Sequence, residues 1–143
     1  MIEIPADIRD QMLEHAVASL PNEACGLLAG RDGRVERFYP IRNEDESPTT
    51  YRFDSVEHLE AEKDREEKGW EVVGIFHSHT HSQAYPSRTD RRRAFWPDPE
   101  TGQLVYPNAG YLIVSLADHA NPVIRAFFIK DLETVEEEEA RIT

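Results

Sequence analysis

The chain has 143 residues, which suits a single buried core, and we expect residues 1–143 to form one domain. Its formal charge of −12 would repel a phosphate backbone, which argues against general nucleic-acid binding. No apolar run approaches the roughly 20 residues of a membrane span, and MIEIPADIRDQM does not resemble a secretory signal. Cys25 is the only cysteine, so no intrachain disulfide is possible, and we expect the protein to reside in a reducing cytoplasm. We expect the Cys25 side chain to be buried.

The first half of the chain predicts a helix, a hairpin and a second helix. Apolar residues at helical spacing predict an amphipathic helix over residues 6–19. CGLLAG and RVERFYPI are typical of two short strands joined by the Asp-Gly turn between them. After the polar loop NEDESPTTYR, the segment DSVEHLEAEKDREEKG predicts a helix that begins at Asp54 or Ser55 and ends at Gly69.

The second half of the chain alternates strands with one short helix. EVVGIFHSH predicts a buried strand, and residues 87–96 predict a third helix that ends before a proline. A loop over residues 97–110 leads to two more strands, YLIVSL and VIRAFFI, separated by a turn at Asn121 and Pro122. Residues from about 131 to 143 are expected to form an acidic tail or an edge strand. This order of elements predicts an α/β fold in which helices pack on a mixed sheet.

Three histidines lie within five positions of the segment HSHTH. Alternate side chains of a strand share a face, so His77 and His79 point the same way, about 6–7 Å apart along the backbone. His81 lies about 13 Å from His77 in an extended strand, which is too far for one small metal ion. By itself the pair fits a polar loop and a pair of metal ligands about equally well.

Ser87 and Asp90 follow the histidines at a spacing that fits two structural roles. Ser87 is suited to cap the third helix, with Asp90 in its first turn. The same spacing places the Asp90 carboxylate beside the end of the histidine strand. Two histidines and one carboxylate, with the fourth position left for water, form a catalytic zinc arrangement. We therefore predict that His77, His79 and Asp90 bind one Zn²⁺ per chain.

The pattern H-S-H-x7-S-x2-D, which runs from His77 to Asp90, resembles the motif of the JAMM (MPN+) metallopeptidases. Glu23, in PNEACGLLAG, stands where that family has an upstream glutamate near the end of its first helix. The resemblance implies a cytidine-deaminase-like α/β/α sandwich, a mixed β-sheet flanked by helices. It also implies that zinc is held by His77, His79 and Asp90.

The resemblance assigns roles to two further residues. Glu23 would act as general base toward the attacking water and would later protonate the leaving amine. Ser87 would donate a hydrogen bond to the developing oxyanion. Apart from the resemblance, Glu23 is typical of an exposed acid that follows a helix.

Three segments, NEDESPTTYRFD, HSHT and AYPSRTD, together resemble family members that release cysteine from a sulfur-carrier protein during cysteine synthesis. The resemblance implies a zinc-dependent hydrolase that cuts the amide bond after the C-terminal Gly-Gly of a ubiquitin-like sulfur-carrier protein. Arg52 and Arg88 are candidates to bind the carboxylate of the released cysteine, although both suit solvated surface charge. The sequence departs from the pattern at His81 and in a longer loop over residues 97–110.

Two other functions stay open. One is a deubiquitinase-like isopeptidase or peptidase that acts on another diglycine-tailed protein. The other is a non-catalytic MPN scaffold module of the kind that lacks the metal ligands. The presence of all five motif residues, Glu23, His77, His79, Ser87 and Asp90, favours an enzyme.

Overall fold

The computed structural model describes residues 1–143 as three helices and ten strands. The helices are α1 Ala6–Ala18, α2 Ser55–Glu67 and α3 Arg88–Arg93. The strands are β1 Ile2–Ile4, β2 Cys25–Arg31, β3 Arg34–Ile41, β4 Glu71–His79, β5 Phe95–Trp96, β6 Gln103–Leu104, β7 Gly110–Ser115, β8 Val123–Ile129, β9 Val135–Glu138 and β10 Ala140–Ile142. None of the three helices combines the length and the apolar character needed to cross a bilayer.

Eight strands form one mixed sheet in the order β10-β1-β3-β2-β4-β7-β8-β9. Strand β4 lies near the centre, antiparallel to β2 and parallel to β7. The central strands are almost wholly buried, as their near-continuous apolar sequences require. The predicted mixed sheet is confirmed.

Helices cover both faces of this sheet. Met12 of α1 packs with Phe76 of β4 in the larger core cluster. Ala61 of α2 and Ala94, which follows α3, pack with Ile75 of β4 in the second cluster. Because side chains alternate along a strand, these clusters lie on opposite faces, and the expected α/β/α layering is confirmed. His77 and His79 share the parity of Ile75, which places them on the face covered by α2 and α3.

The predicted turn and cap residues adopt the expected geometry. Asp32 and Gly33 have positive φ values of 52° and 76°, as a two-residue hairpin of type I′ requires. The Asp54 carboxylate accepts a hydrogen bond from the Glu57 N–H at 3.0 Å and caps α2. Gly69 follows the end of α2 with a φ of 69°. The predictions for the hairpin and for the second helix are therefore confirmed.

The predicted third helix is too long. Helix α3 ends at Arg93, and β5 then pairs antiparallel with β6 inside the segment that was expected to be a loop. The physical reason is the proline at position 97, since a residue before proline is biased toward extended backbone. Trp96 therefore continues into a strand.

The acidic C-terminal segment forms two strands, one at each edge of the eight-stranded sheet. Strand β9 pairs with β8, and β10 pairs with β1, with only Glu139 between the two strands. The Met1 amino group donates a hydrogen bond to Glu138 at 2.6 Å, beside this junction. The C-terminal residues thus connect the two edges of the sheet.

Candidate metal and catalytic site

The end of β4 and the first turn of α3 bring three buried side chains together. His77 Nε2 lies 3.1 Å from His79 Nε2 and 3.0 Å from Asp90 Oδ2. His79 Nε2 lies 3.1 Å from the same Asp90 oxygen. The three residues predicted as metal ligands are thus almost completely excluded from solvent and share one small volume.

The distances and hydrogen-bond partners of these three side chains are compatible with a cation between them. His79 Nδ1 lies 2.7 Å from the Gln83 carbonyl oxygen, which can only accept, so Nδ1 carries the proton. In the neutral imidazole, Nε2 then presents a lone pair to Asp90 Oδ2, another acceptor. These two atoms stay this close only when a proton or a metal cation lies between them. Tetrahedral zinc with bonds of about 2.0–2.1 Å holds its ligand atoms about 3.3–3.4 Å apart, close to the separations observed here.

Asp90 and His79 each shift the pKa of the other. Burial alone would raise the pKa of Asp90, but His77, His79 and the Ser87 N–H hold that pKa far below its usual range. Burial alone would lower the pKa of His79, but hydrogen bonds to Asp90 and to the Gln83 carbonyl raise it. The lowered pKa keeps Asp90 as a carboxylate at neutral pH, which is the form that binds a cation.

Ser87 and Asp90 also form the helix cap that the sequence suggested. Ser87 Oγ accepts the Asp90 N–H at 3.1 Å, and Asp90 Oδ2 accepts the Ser87 N–H at 2.9 Å. This reciprocal capping box begins α3. It also fixes the carboxylate that faces the histidines, so the capping role and the ligand role are compatible. The Ser87 hydroxyl is exposed, and its proton is free for another acceptor.

Glu23 lies just before β2 and is buried, not exposed as a residue after a helix normally is. Burial raises the pKa of its carboxyl to about 8, and the negative charge of Asp90 contributes to the rise. Its Oε1 atom is enclosed and receives no hydrogen bond from the protein. Buried carboxyl groups with a raised pKa are suited to carry protons in catalysis.

Ser78 is a residue whose role the sequence did not reveal. Its Oγ accepts the Ala24 N–H at 2.8 Å, and its own N–H donates to the Ala24 carbonyl at 3.0 Å. These bonds attach the backbone next to Glu23 to the strand that carries both histidines. A serine between the two histidines of a strand that is predicted to be buried is the available signal, because a buried hydroxyl requires a partner.

Tyr51 is a second residue that the sequence did not single out. Its ring stacks on the His77 ring with centroids 4.5 Å apart and planes inclined by 22°. Tyr51 also lines a groove of about 500 Å³ between α2, α3 and the β5–β6 hairpin. One residue of the groove lining thus contacts His77 directly. No sequence pattern links positions 51 and 77, because their contact depends on how the loop after β3 folds back.

Arg52, Arg88 and His81 do not belong to the group of three buried side chains. Arg52 lines the groove and is 62% exposed, with its nearest carboxylate, Asp45, 3.9 Å away. Arg88 is 63% exposed, approaches Glu133 at 3.9 Å, and does not line the groove. His81 is exposed, and its Nδ1 meets the Thr80 hydroxyl at 2.9 Å, away from the group of metal ligands.

Comparison with known proteins gives consistent matches. The family described as prokaryotic homologs of the JAB domain matches residues 5–130. A Mycobacterium tuberculosis protein named CysO-cysteine peptidase is 40% identical over 139 residues, which cover 96% of this chain and 88% of the relative. A Haloferax volcanii protein named desampylase is 39% identical over 103 residues, covering 67% of this chain and 74% of the relative.

A solved structure agrees over the whole length. The solution structure of a protein from Desulfitobacterium hafniense is 45% identical and superimposes with a TM-score of 0.84. The match covers 100% of this chain and 93% of that protein. The two proteins are therefore similar in amino-acid sequence as well as in fold.

Proposed function

Because the chain belongs to the family of prokaryotic homologs of the JAB domain, we propose that it is a zinc-dependent hydrolase acting on a ubiquitin-like sulfur-carrier protein. The bond cut is the amide after the C-terminal Gly-Gly of the carrier, and the product released is cysteine. The observation that carries the proposal is the close approach of His77, His79 and Asp90 next to the buried carboxyl of Glu23. The family resemblance drawn from the sequence is confirmed.

The proposed chemistry divides between the metal and two side chains. Zinc held by His77, His79 and Asp90 would supply Lewis-acid activation and a nucleophilic water at neutral pH. Glu23 takes the proton from the attacking water and returns it to the leaving amine. Positive charge at the three ligands favours the carboxylate form of Glu23, which is the form a base requires. The free hydroxyl proton of Ser87 is donated to the developing oxyanion.

The substrate is supported by the relatives and by the groove. The relative named CysO-cysteine peptidase aligns over nearly all of both chains, whereas the desampylase aligns over about two thirds of this one. Hydrolysis of a ubiquitin-like protein conjugate is the broader part of the proposal, and the matches to both relatives support it. Release of cysteine is the more specific part of the proposal. Arg52, loosely paired at the groove, is suited to bind the carboxylate of that cysteine, and Arg88 is the second candidate.

Cys25 is compatible with the proposed reducing compartment and is not suited to act as a nucleophile. Its thiol is buried and donates to the Ile41 carbonyl at 3.3 Å. Burial raises the pKa of that thiol, so the reactive thiolate is not formed at neutral pH. We therefore propose metal-dependent hydrolysis without a cysteine nucleophile. A reducing cytoplasm as the place of reaction is part of the same proposal.

Isopeptidase action on another diglycine-tailed protein is the second candidate function. The match to the Haloferax volcanii desampylase is the observation that favours it. A non-catalytic scaffold is disfavoured, because the metal ligands, the buried glutamate and the serine are all present.

The experiment is to incubate the zinc-loaded enzyme with a folded carrier ending in Gly-Gly-Cys and to weigh the carrier by mass spectrometry. We expect the mass to fall by one cysteine residue, and a chelator to prevent the loss. Free short peptides with the same C-terminal sequence should be cut more slowly. If the adduct stays intact while isopeptide conjugates of a ubiquitin-like protein are cleaved, the second candidate replaces the first.

A further inference from the structure

The loop between β3 and α2, residues 42–54, is organised around a single buried side chain, Asn43. This residue is 8% exposed. Its Nδ2 group donates to the Glu23 carbonyl at 3.0 Å and to the Thr50 carbonyl at 2.9 Å. Its Oδ1 atom accepts the Asp45 N–H at 3.0 Å and the Arg52 N–H at 3.1 Å. One amide thus joins four backbone groups.

These four bonds use the full capacity of the side chain. A carboxamide has two donor hydrogens and an acceptor oxygen with two lone pairs. The partners also define its orientation, because two are carbonyl groups that only accept and two are N–H groups that only donate. No other side chain of this size offers two donors and two acceptors. Aspartate would lose both donor bonds, and alanine would leave four buried or half-buried groups without this partner.

The bond to Glu23 connects this loop to the proposed chemistry. The Glu23 N–H donates to the Ser47 carbonyl at 2.8 Å, while its carbonyl accepts from Asn43. Both backbone groups of Glu23 are therefore held by the same loop. Catalytic geometry is sensitive to small displacements, and an error of about 1 Å in a reacting group costs roughly 10²-fold in rate.

The same loop also contacts the strand that carries the histidines. The Thr80 hydroxyl lies 3.0 Å from the Pro48 carbonyl, to which it can donate. Tyr51 stacks on His77, and the Arg52 N–H is one of the two donors to Asn43. The loop thus lies between Glu23, the metal ligands and the groove.

We infer that Asn43 is a positioning residue that sets Glu23 against the metal ligands and holds the Tyr51–Arg52 segment at the groove. The inference rests on the proposed function, because it assigns Asn43 an effect on turnover through Glu23. Asn43 is not a catalytic residue, since its amide is fully occupied by the backbone of its own chain.

A double-mutant cycle tests whether Asn43 acts through Glu23. The four zinc-loaded proteins are the wild type, Asn43→Ala, Glu23→Gln and the double variant, each measured with the carrier-cysteine adduct well below its melting temperature. We expect Glu23→Gln to keep zinc and lose nearly all turnover, and Asn43→Ala to lower kcat by roughly 10²-fold. In the Glu23→Gln background, Asn43→Ala should have little further effect. An equal loss in both backgrounds would overturn the inference.

Two further variants separate positioning from loss of structure. Asn43→Asp retains the two acceptor bonds to Asp45 and Arg52, so it keeps the proposal testable if the alanine variant does not fold. We expect a lowered kcat with KM within about threefold of wild type, and unchanged zinc content. Asn121→Ala is the matched control, because that amide donates only to Asp118 in an exposed turn, at 3.1 Å. A normal kcat for Asn43→Asp would overturn the inference.

The same experiment distinguishes the two proposals. If the wild type cleaves the adduct and the cycle is additive, the inference about Asn43 is wrong and the proposed function stands. If the wild type leaves the adduct intact, the substrate assignment is wrong, and the cycle is measured on an isopeptide conjugate that the enzyme does cleave. If neither substrate is cut, both proposals fail.

Discussion

The hydrogen bond between His79 and the Gln83 carbonyl sets the orientation of one of the three proposed metal ligands. It fixes a proton on Nδ1 and leaves Nε2 as the ring nitrogen that faces Asp90. Partners of this kind orient a histidine ligand and make it a better donor to a metal. Gln83 supplies only its backbone, so its side chain gives no sign of this contribution in the sequence.

The first prediction separates His79 from His81. Protein purified without added metal should contain about one zinc per chain, measured by elemental analysis. His79→Ala should lose both zinc and activity, because it removes one of three ligand atoms. His81→Ala is the matched control and should keep near-normal zinc, because its ring lies outside the group of ligands. Loss of zinc in the control would show that the ligand assignment is wrong.

The second prediction concerns the stability of the zinc-free protein against pH. Burial, with the charge of Asp90, raises the pKa of Glu23 from 4.5 to about 8 in the folded state. Glu23 therefore contributes its full stabilisation below about pH 4.5, and that contribution is lost as the pH rises toward 8. Glu23→Gln removes this term, so the stability of the variant relative to wild type should increase between those pH values.

Urea unfolding in the presence of a chelator measures this difference. The expected change is on the order of a few kcal/mol over the interval. Asp90 has the opposite dependence, since its lowered pKa stabilises the fold above its unfolded pKa and loses that effect in acid. Asp90 is present in both proteins, so the comparison isolates Glu23. Parallel pH curves for the two proteins would contradict the raised pKa.

At the scale of elements, helix α3 is defined by the residues that also form the site. Its capping box places the Asp90 carboxylate against the end of β4. The helix has only six residues, so the capping box supplies a large share of the hydrogen bonds that stabilise its first turn. The two residues with proposed roles in the reaction therefore also stabilise the start of this short helix.

The third prediction is that Ser87→Ala lowers both stability and rate, in amounts that can be separated. Loss of the cap should cost roughly 1 kcal/mol. Loss of an oxyanion donor should lower kcat by about 10²–10³-fold. Melting temperature and kcat are measured on the same zinc-loaded sample. A lowered melting temperature with an unchanged kcat would show that Ser87 is only a cap.

At the scale of the whole molecule, the acidic C-terminal strands complete the sheet at both ends. Arg125 on β8 pairs with Glu137 on β9 at 2.7 Å, so part of the negative charge is neutralised across adjacent strands. Charged side chains on an edge strand also oppose pairing with other chains. The cluster of glutamates is therefore part of the fold, although its composition is typical of a solvated tail.

Features that depend on neighbours a few residues apart could be predicted from the sequence. Strand periodicity put His77 and His79 on one face, and the Ser87–Asp90 spacing predicted the cap. The Asp-Gly turn and the Asp54 cap followed from residue-specific backbone preferences. These interactions are local, so the spacing of residues along the chain is enough to predict them. Glu23 was identified only through the family resemblance, because no local pattern distinguishes it from a surface acid.

Contacts between distant segments could not be predicted from the sequence and are seen in the folded structure alone. The burial of Glu23, the stacking of Tyr51 on His77 and the four bonds of Asn43 all depend on how the loop after β3 packs against β4. The pairing of β10 with β1 joins residues almost a full chain length apart. The physical reason is that each such contact depends on which elements lie side by side. That choice is made by burial of the whole core, which no single stretch of sequence encodes.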